Sequence, residues 1–187
     1  MENYSIVSEK ATIGNNVSIG RFCIIEDNVV IGDNVKVEDY AMILVNSKIG
    51  KGTKVGTYTK VGKNVVIGDN CSFTSYCEIR DNCQLGNDVI MGSRCTLSAD
   101  TIVEDNVIMK YGFVVTDTPT LSENNVKKTG ALKKNSRFGA NVTIMPSVVV
   151  GENSEIGACS QVRHNVPDNE IWYGCPAKFY KKVAVEG

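Results

Sequence analysis

The chain has 187 residues, with 20 Lys plus Arg against 21 Asp plus Glu and a formal net charge of −1. A pI near 5.9 argues against a general polyanion or nucleic-acid partner, and the length suffices for one domain with a full core. No apolar run reaches transmembrane length, and Met1–Lys10, which contains Glu2 and Glu9, does not read as a signal peptide. A soluble, cytoplasmic protein without membrane insertion is expected.

An aliphatic or other large apolar residue occupies every sixth position without a break from Val7, Ile13, Ile19 and Ile25 to Met109 and Val115, nineteen in succession. The series resumes at Phe138, Ile144, Val150, Ile156 and Val162. A period of six fits neither a helix nor a simple alternating strand and marks a repeat architecture. Two residues before each apolar site stands something small or β-branched, as at Val17, Cys23, Val29 and Ala41. Glycine is common one residue after it (Gly14, Gly20, Gly32) and asparagine three after it (Asn16, Asn28, Asn34). Alternating inward residues describe a short strand; Gly and Asn, tolerant of positive φ, describe a corner. Three such sides close a triangular coil of eighteen residues, in which Ile25, Ile43, Val61, Ile79, Leu97 and Val115 stack as one inner column. The expected fold is all-β, a solenoid of about eight coils and about 38 Å at ~4.8 Å per strand. A β-sandwich with regular turns is the alternative, and nineteen strict periods argue against it.

Five of the seven cysteines (Cys23, Cys71, Cys77, Cys83, Cys95) share the small inward slot, so they read as buried small hydrophobes. No CxxC spacing suggests zinc, and no metal is expected. The one long interruption, 116–137, opens with Thr116-Asp117-Thr118-Pro119 and becomes basic at Lys127, Lys128, Lys133, Lys134 and Arg137. Such an insertion is either a solvated loop or a lid with phosphate-binding cations. The β-helix domain is thus expected over 1–162, followed by a capping extension over 163–187 that covers strand edges.

The hexad pattern resembles the hexapeptide repeat of left-handed parallel β-helix proteins, and the left hand comes from that resemblance. Gly139-Ala140-Asn141-Val142-Thr143-Ile144 with Ile156-Gly157-Ala158 is similar to the acyl-CoA-binding coils of hexapeptide acyltransferases. The ending Asn165-Val166-Pro167 … Gly174-Cys175-Pro176-Ala177-Lys178 is similar to that family's C-terminal signature. Val126-Lys127-Lys128 with Phe138-Gly139-Ala140-Asn141 looks most like acetyltransferases of nucleotide-linked amino sugars, which serve surface polysaccharide and glycan synthesis. The resemblance implies a homotrimer with acetyl-CoA as co-substrate in the groove between prisms. Gly139, Ala140, Gly157 and Ala158 would line the pantetheine arm, and Arg163 and Lys178 would meet the phosphates; corner glycines and solvated charges are the structural alternatives.

The chain has a single histidine, His164, in the tail motif. That count excludes a three-histidine metal site of the γ-carbonic-anhydrase kind and disfavours a serine acetyltransferase-like site. Where sugar O-acetyltransferases of the family carry a catalytic histidine, this chain has Thr116-Asp117-Thr118-Pro119. An alcohol needs a base to attack a thioester, whereas an amine, with a pKa nearer neutrality, needs less help. The expectation is therefore N-acetylation of a nucleotide-linked amino sugar, with sugar O-acetylation or a non-catalytic β-helix scaffold as alternatives. Asp117 is the candidate base or orienting group, or else a turn-capping aspartate. Asp100, Lys110 and Tyr111, with Glu104, depart from apolar or Gly slots and are candidate acceptor-site residues or plain surface.

Overall fold

The computed structural model describes residues 4–119 and 129–184. Twenty-five two-residue strands, from Ile6–Val7 to Gln161–Val162, wind into eight full coils and the first side of a ninth. They stack as three parallel faces. The first face runs from Ile6–Val7 to Gln161–Val162, the second from Thr12–Ile13 to Val149–Val150, and the third from Ser18–Ile19 to Glu155–Ile156. The all-β architecture matches a left-handed parallel β-helix, and no described helix is long and apolar enough to cross a membrane.

Each strand is short because only two residues separate one corner from the next. One side chain points in and its neighbour points out. In register, Ile25 pairs with Ile43, Ile43 with Val61 and Val61 with Ile79, and all four are buried. The small inward slot has a second task besides filling space. Ser47, Thr53 and Thr59 donate their hydroxyls to the carbonyls of Gly62, Gly68 and Thr74 in the next coil, at 2.6, 3.0 and 3.1 Å. Cys71 and Cys77 donate their thiols to Gly86 and Gly92 at 3.2 Å in the same manner. Ser, Thr and Cys therefore interchange here because each is small and brings one donor to a corner carbonyl. Cysteine in this slot is a donor as well as a small hydrophobe.

Corner backbones adopt left-handed conformations at residues such as Asn16, Asn28, Asn34 and Asn46, with φ between 55° and 63°. Asparagine tolerates this region at low cost. Beside it, glycine is required by the stacking itself: a Cβ on Gly32 would fall 2.8 Å from Lys51 N.

The repeat resumes one hexad earlier than the sequence reading placed it. Ala131–Leu132 is already a strand of the second face, with Leu132 paired to Val103 below and Val150 above. Coil spacing there is twenty-nine residues instead of eighteen, an insertion of eleven. Leu132 lies six before Phe138, in phase, but Lys133, Lys134 and Arg137 around it have the composition of a loop. Its burial at 1% exposure decides the matter. After Gln161–Val162, Val166 bridges to Val150. Glu170–Gly174 then extends the third face, and Ala177–Lys182 pairs antiparallel to it.

Candidate active site

The first face meets the second at a corner formed in successive coils by Asn28, Asn46, Asn64 and Asn82. Each amide donates to the next at 3.1 Å, and Asn82 donates to Asp100 Oδ1 at 3.0 Å. One coil further on, at this same corner, the chain leaves the prism as the long loop. Asp117 lies at its root, 8% exposed. Its Oδ1 accepts the Thr118 hydroxyl at 2.7 Å, and its Oδ2 stands 3.7 Å from Arg80 Nη1. The returning limb is pinned beside it: Thr129 donates its hydroxyl to the Asp100 carbonyl at 3.2 Å. Both limbs thus adjoin a cleft of about 520 Å³ whose walls include Lys60, Glu78, Arg80, Asn82, Thr96 and Asp100.

The structure divides the sequence-derived acceptor set. Asp100 joins Asp117 at this cleft through Arg80. Lys110 and Tyr111 lie at a different corner, between the third and first faces, in line with the residues assigned to the acyl donor. Lys110 N donates to Phe138 O at 3.0 Å and Gly139 N to Ile156 O at 2.8 Å, which stacks Lys110, Gly139 and Gly157. Tyr111, Ala140 and Ala158 stack one residue further round, through Asn141 N to Tyr111 O and Cys159 N to Ala140 O. Lys110, Gly139 and Gly157 line a third-face groove of about 260 Å³ together with Arg137, Glu155 and Ile171. Stacking alone explains both glycines: a Cβ would fall 2.5 Å from Ala158 N at Gly139 and 2.8 Å from Tyr173 Cβ at Gly157.

Arg163 and Lys178 are both exposed at the far end of the prism. Arg163 Nε donates to Gln161 Oε1 at 2.6 Å. The hairpin turn before Lys178 packs on the same coil, where Gly174 N donates to Ser160 Oγ at 3.0 Å. His164 is exposed and stands apart from both grooves' linings. Among the loop cations, Lys127 and Lys128 lie outside the described residues. Lys133 is engaged by Glu104 at 2.7 Å, and the other Glu104 oxygen accepts Lys134 N at 3.0 Å. That pair holds Glu104 below the usual carboxylate range, chiefly through the Lys133 hydrogen bond. Glu104 and Lys133 thus secure the re-entry of the loop. Burial pushes the Cys71 thiol up to about 11 and those of Cys83 and Cys95 up to about 12, so these are not thiolate nucleophiles.

Arg80, Glu78 and Lys60 were not singled out from sequence. Arg80 carried a usable signal, because it fills the slot after Ile79 where Gly62 stands one coil earlier.

A family model for bacterial transferase hexapeptide (six repeats) matches residues 10–44, 46–81 and 132–164, together more than half of the chain. The chain belongs to the bacterial transferase hexapeptide family. Its matches fall on the stacked coils and resume at Leu132, where the structure places the return of the repeat. Similar relatives are a galactoside O-acetyltransferase of Lactococcus lactis (35% identical over 78 residues, 37% of this chain and 38% of the relative) and a putative lipopolysaccharide biosynthesis O-acetyl transferase, WbbJ, of Escherichia coli (42% over 45 residues, 24% and 23%). The matched stretches span well under half the length of these relatives. Two solved structures share the fold. A UDP-N-acetylglucosamine acyltransferase from Campylobacter jejuni has a TM-score of 0.70 at 20% identity, covering 97% of this chain and 74% of that one. AntD, an N-acyltransferase from Bacillus cereus in complex with dTDP and coenzyme A, has a TM-score of 0.56 at 20% identity, covering 84% and 85%.

Proposed function

We propose that this hexapeptide-family chain is an acetyl-CoA-dependent N-acetyltransferase of a nucleotide-linked amino sugar, working as a homotrimer. The observation that carries this reading is the buried Asp117 at the root of the loop, beside a polar cleft that contains no histidine. The UDP-N-acetylglucosamine acyltransferase and the dTDP-bound N-acyltransferase that share the fold support the substrate class.

In this reading the acceptor sits in the cleft at Asp100 and Asp117, its amine oriented by a carboxylate. The amine attacks the thioester carbonyl, forming the C–N bond, and a backbone N–H of the coils stabilises the oxyanion. The C–S bond then breaks. The amine proton leaves through Asp117 or water, and the departing thiolate ends as the free thiol. The acyl donor lies along the third-face groove, where Gly139 and Gly157 leave backbone exposed and Lys110 and Arg137 supply cations for phosphate. At about 260 Å³ this groove is below the ~300 Å³ of a self-contained ligand pocket, which fits a site completed by a neighbouring prism. In this reading Arg163 and Lys178, exposed at the far end of the prism, meet the phosphates at the nucleotide end of the donor.

Two measurements test this. Acetyl-CoA at about 100 Kd should stabilise the native state by about 2.7 kcal/mol and raise the melting midpoint; no shift at millimolar concentration would sink the enzyme reading. Thiol release with nucleotide-linked amino sugars and their matched hydroxy sugars then separates nitrogen from oxygen transfer. The relatives named as O-acetyltransferases favour a second reading, sugar O-acetylation, and turnover of hydroxy sugars alone would establish it. A solution mass other than three chains would remove the trimer.

A further inference from the structure

We infer that Arg80 is a positioning residue that fixes the Asp117 carboxylate at the mouth of the cleft. Its kinetic consequence rests on the acetyl-transfer reading; the contact itself does not. Arg80 belongs to a column on the first face that continues through Ser98 to Thr116, one slot per coil. To reach Asp117 the guanidinium must span two coils, about 10 Å. Ser98 leaves that path open: it is small, and its hydroxyl is committed to Val115 O at 2.8 Å. A large side chain at 98 would stand between the two.

At the far end Thr118 donates to Oδ1 at 2.7 Å, and Nη1 of Arg80 faces Oδ2 in a looser ion pair at 3.7 Å. The Asp117 side chain is 11% exposed and that of Arg80 is 43% exposed. Arg80 also forms the cleft wall with Glu78 and Asp100, while Lys60 is taken up by Glu78 at 3.7 Å. Arg80 therefore couples the acceptor cleft to the loop root. A buried carboxylate without its cation is poorly held, and misplacement of a reacting group by about 1 Å can cost two orders of magnitude in rate.

The test uses the full chain with Arg80→Met, Arg80→Lys, Asp117→Asn and the Arg80→Met/Asp117→Asn double variant. Thiol release is expected to show a kcat loss of about tenfold or more for Arg80→Met with KM for acetyl-CoA unchanged. Arg80→Lys should restore part of it, because a point charge replaces a fork. In the Asp117→Asn background, Arg80→Met should cost nothing further. Losses that multiply, or an unchanged kcat, overturn the assignment. Amide hydrogen exchange is a second readout that needs no acceptor. Arg80→Met should speed exchange at the Thr116, Asp117 and Thr118 amides and leave the distant coils alone. Unchanged exchange there refutes the link even if no sugar is ever turned over, whereas an inert wild type with the expected exchange change refutes only the acetyl-transfer reading.

Discussion

The three corners of this prism are built from the same backbone turn yet carry different side chains. On two of them a ladder of like residues ends before the loop, while on the third asparagine, interrupted at Gly52 and Asp88, continues past it. Between the third and first faces, Tyr4, Phe22, Tyr40, Tyr58 and Tyr76 stack with ring centroids 4.7–5.6 Å apart and planes within 13°. The column then passes to Arg94, Gly112, Asn141 and Cys159. Between the first and second faces, the asparagine ladder ends at Asp100, immediately before the loop. Between the second and third faces, asparagines persist past the loop, with Asn135, Asn153 and Asn169 linked at 2.9 and 3.1 Å. Where like stacks on like, each side chain satisfies its neighbour and the surface is committed to structure. Where a ladder ends, the corner holds unlike side chains, and the end of the asparagine ladder at Asn82 and Asp100 lines the cleft proposed for the acceptor.

The largest effects should come from the region common to all three corners, the inner column. Phe73, fully buried between Val55 and Met91, is replaced by Ala at an expected cost of about 3–5 kcal/mol, read as a fall in the urea midpoint. A loss below 1 kcal/mol would mean the coils collapse onto cavities and stacking is not close-packed. Next comes the residue just past the end of the asparagine ladder. Asp117→Asn should lower kcat about a hundredfold with little change in KM for acetyl-CoA, and an unchanged rate would return Asp117 to a purely structural role.

Within the ladder the expectation reverses: stability changes and activity does not. Asn64 has φ 56° and gives and receives one amide hydrogen bond. Asn64→Gly keeps the left-handed backbone and loses two exposed hydrogen bonds, so it should fall within about 1 kcal/mol of wild type. Asn64→Ala adds backbone strain of about 1 kcal/mol more. Should both variants melt alike, the left-handed corner is not what selects asparagine. Any loss of thiol release would break the contrast between ladder and site.

Much of this was legible in the chain. The six-residue period fixes the columns, and asparagine three places on fixes the corners, because both follow from local sterics. What escaped depends on three dimensions. Asp100 and Lys110 look adjacent, but ten residues is more than half a coil of eighteen and puts them on different corners. Arg80 and Asp117 look remote, yet two coils bring them within 3.7 Å. The column could be counted from sequence; the reach of the arginine past Ser98 could not. Leu132 escaped because its lysine neighbours point outward from a buried strand, so composition spoke for the loop and only burial spoke for the coil.

The smallest effect tests whether the loop's return is held separately from its root. Glu104 has its pKa lowered from 4.5, first by the Lys133 hydrogen bond and then by the Lys134 amide against an opposing cost of burial. A folded-state pKa below the unfolded value stabilises the protein above about pH 4.5, and that contribution is lost as pH falls through the depressed value. The Glu104 side chain is about a third exposed (34%), so solvent screening limits it to less than about 1 kcal/mol, or no more than about 2–4 °C in melting midpoint for a chain of this size. Glu104→Gln should therefore melt slightly below wild type at pH 7, and the two curves should converge below pH 4. A gap that persists or widens in acid would show that Glu104 acts through packing and not charge. If Glu104→Gln also left kcat intact while Arg80→Met lowered it, the two limbs of the loop would be separable, the root serving chemistry and the return serving only the repeat.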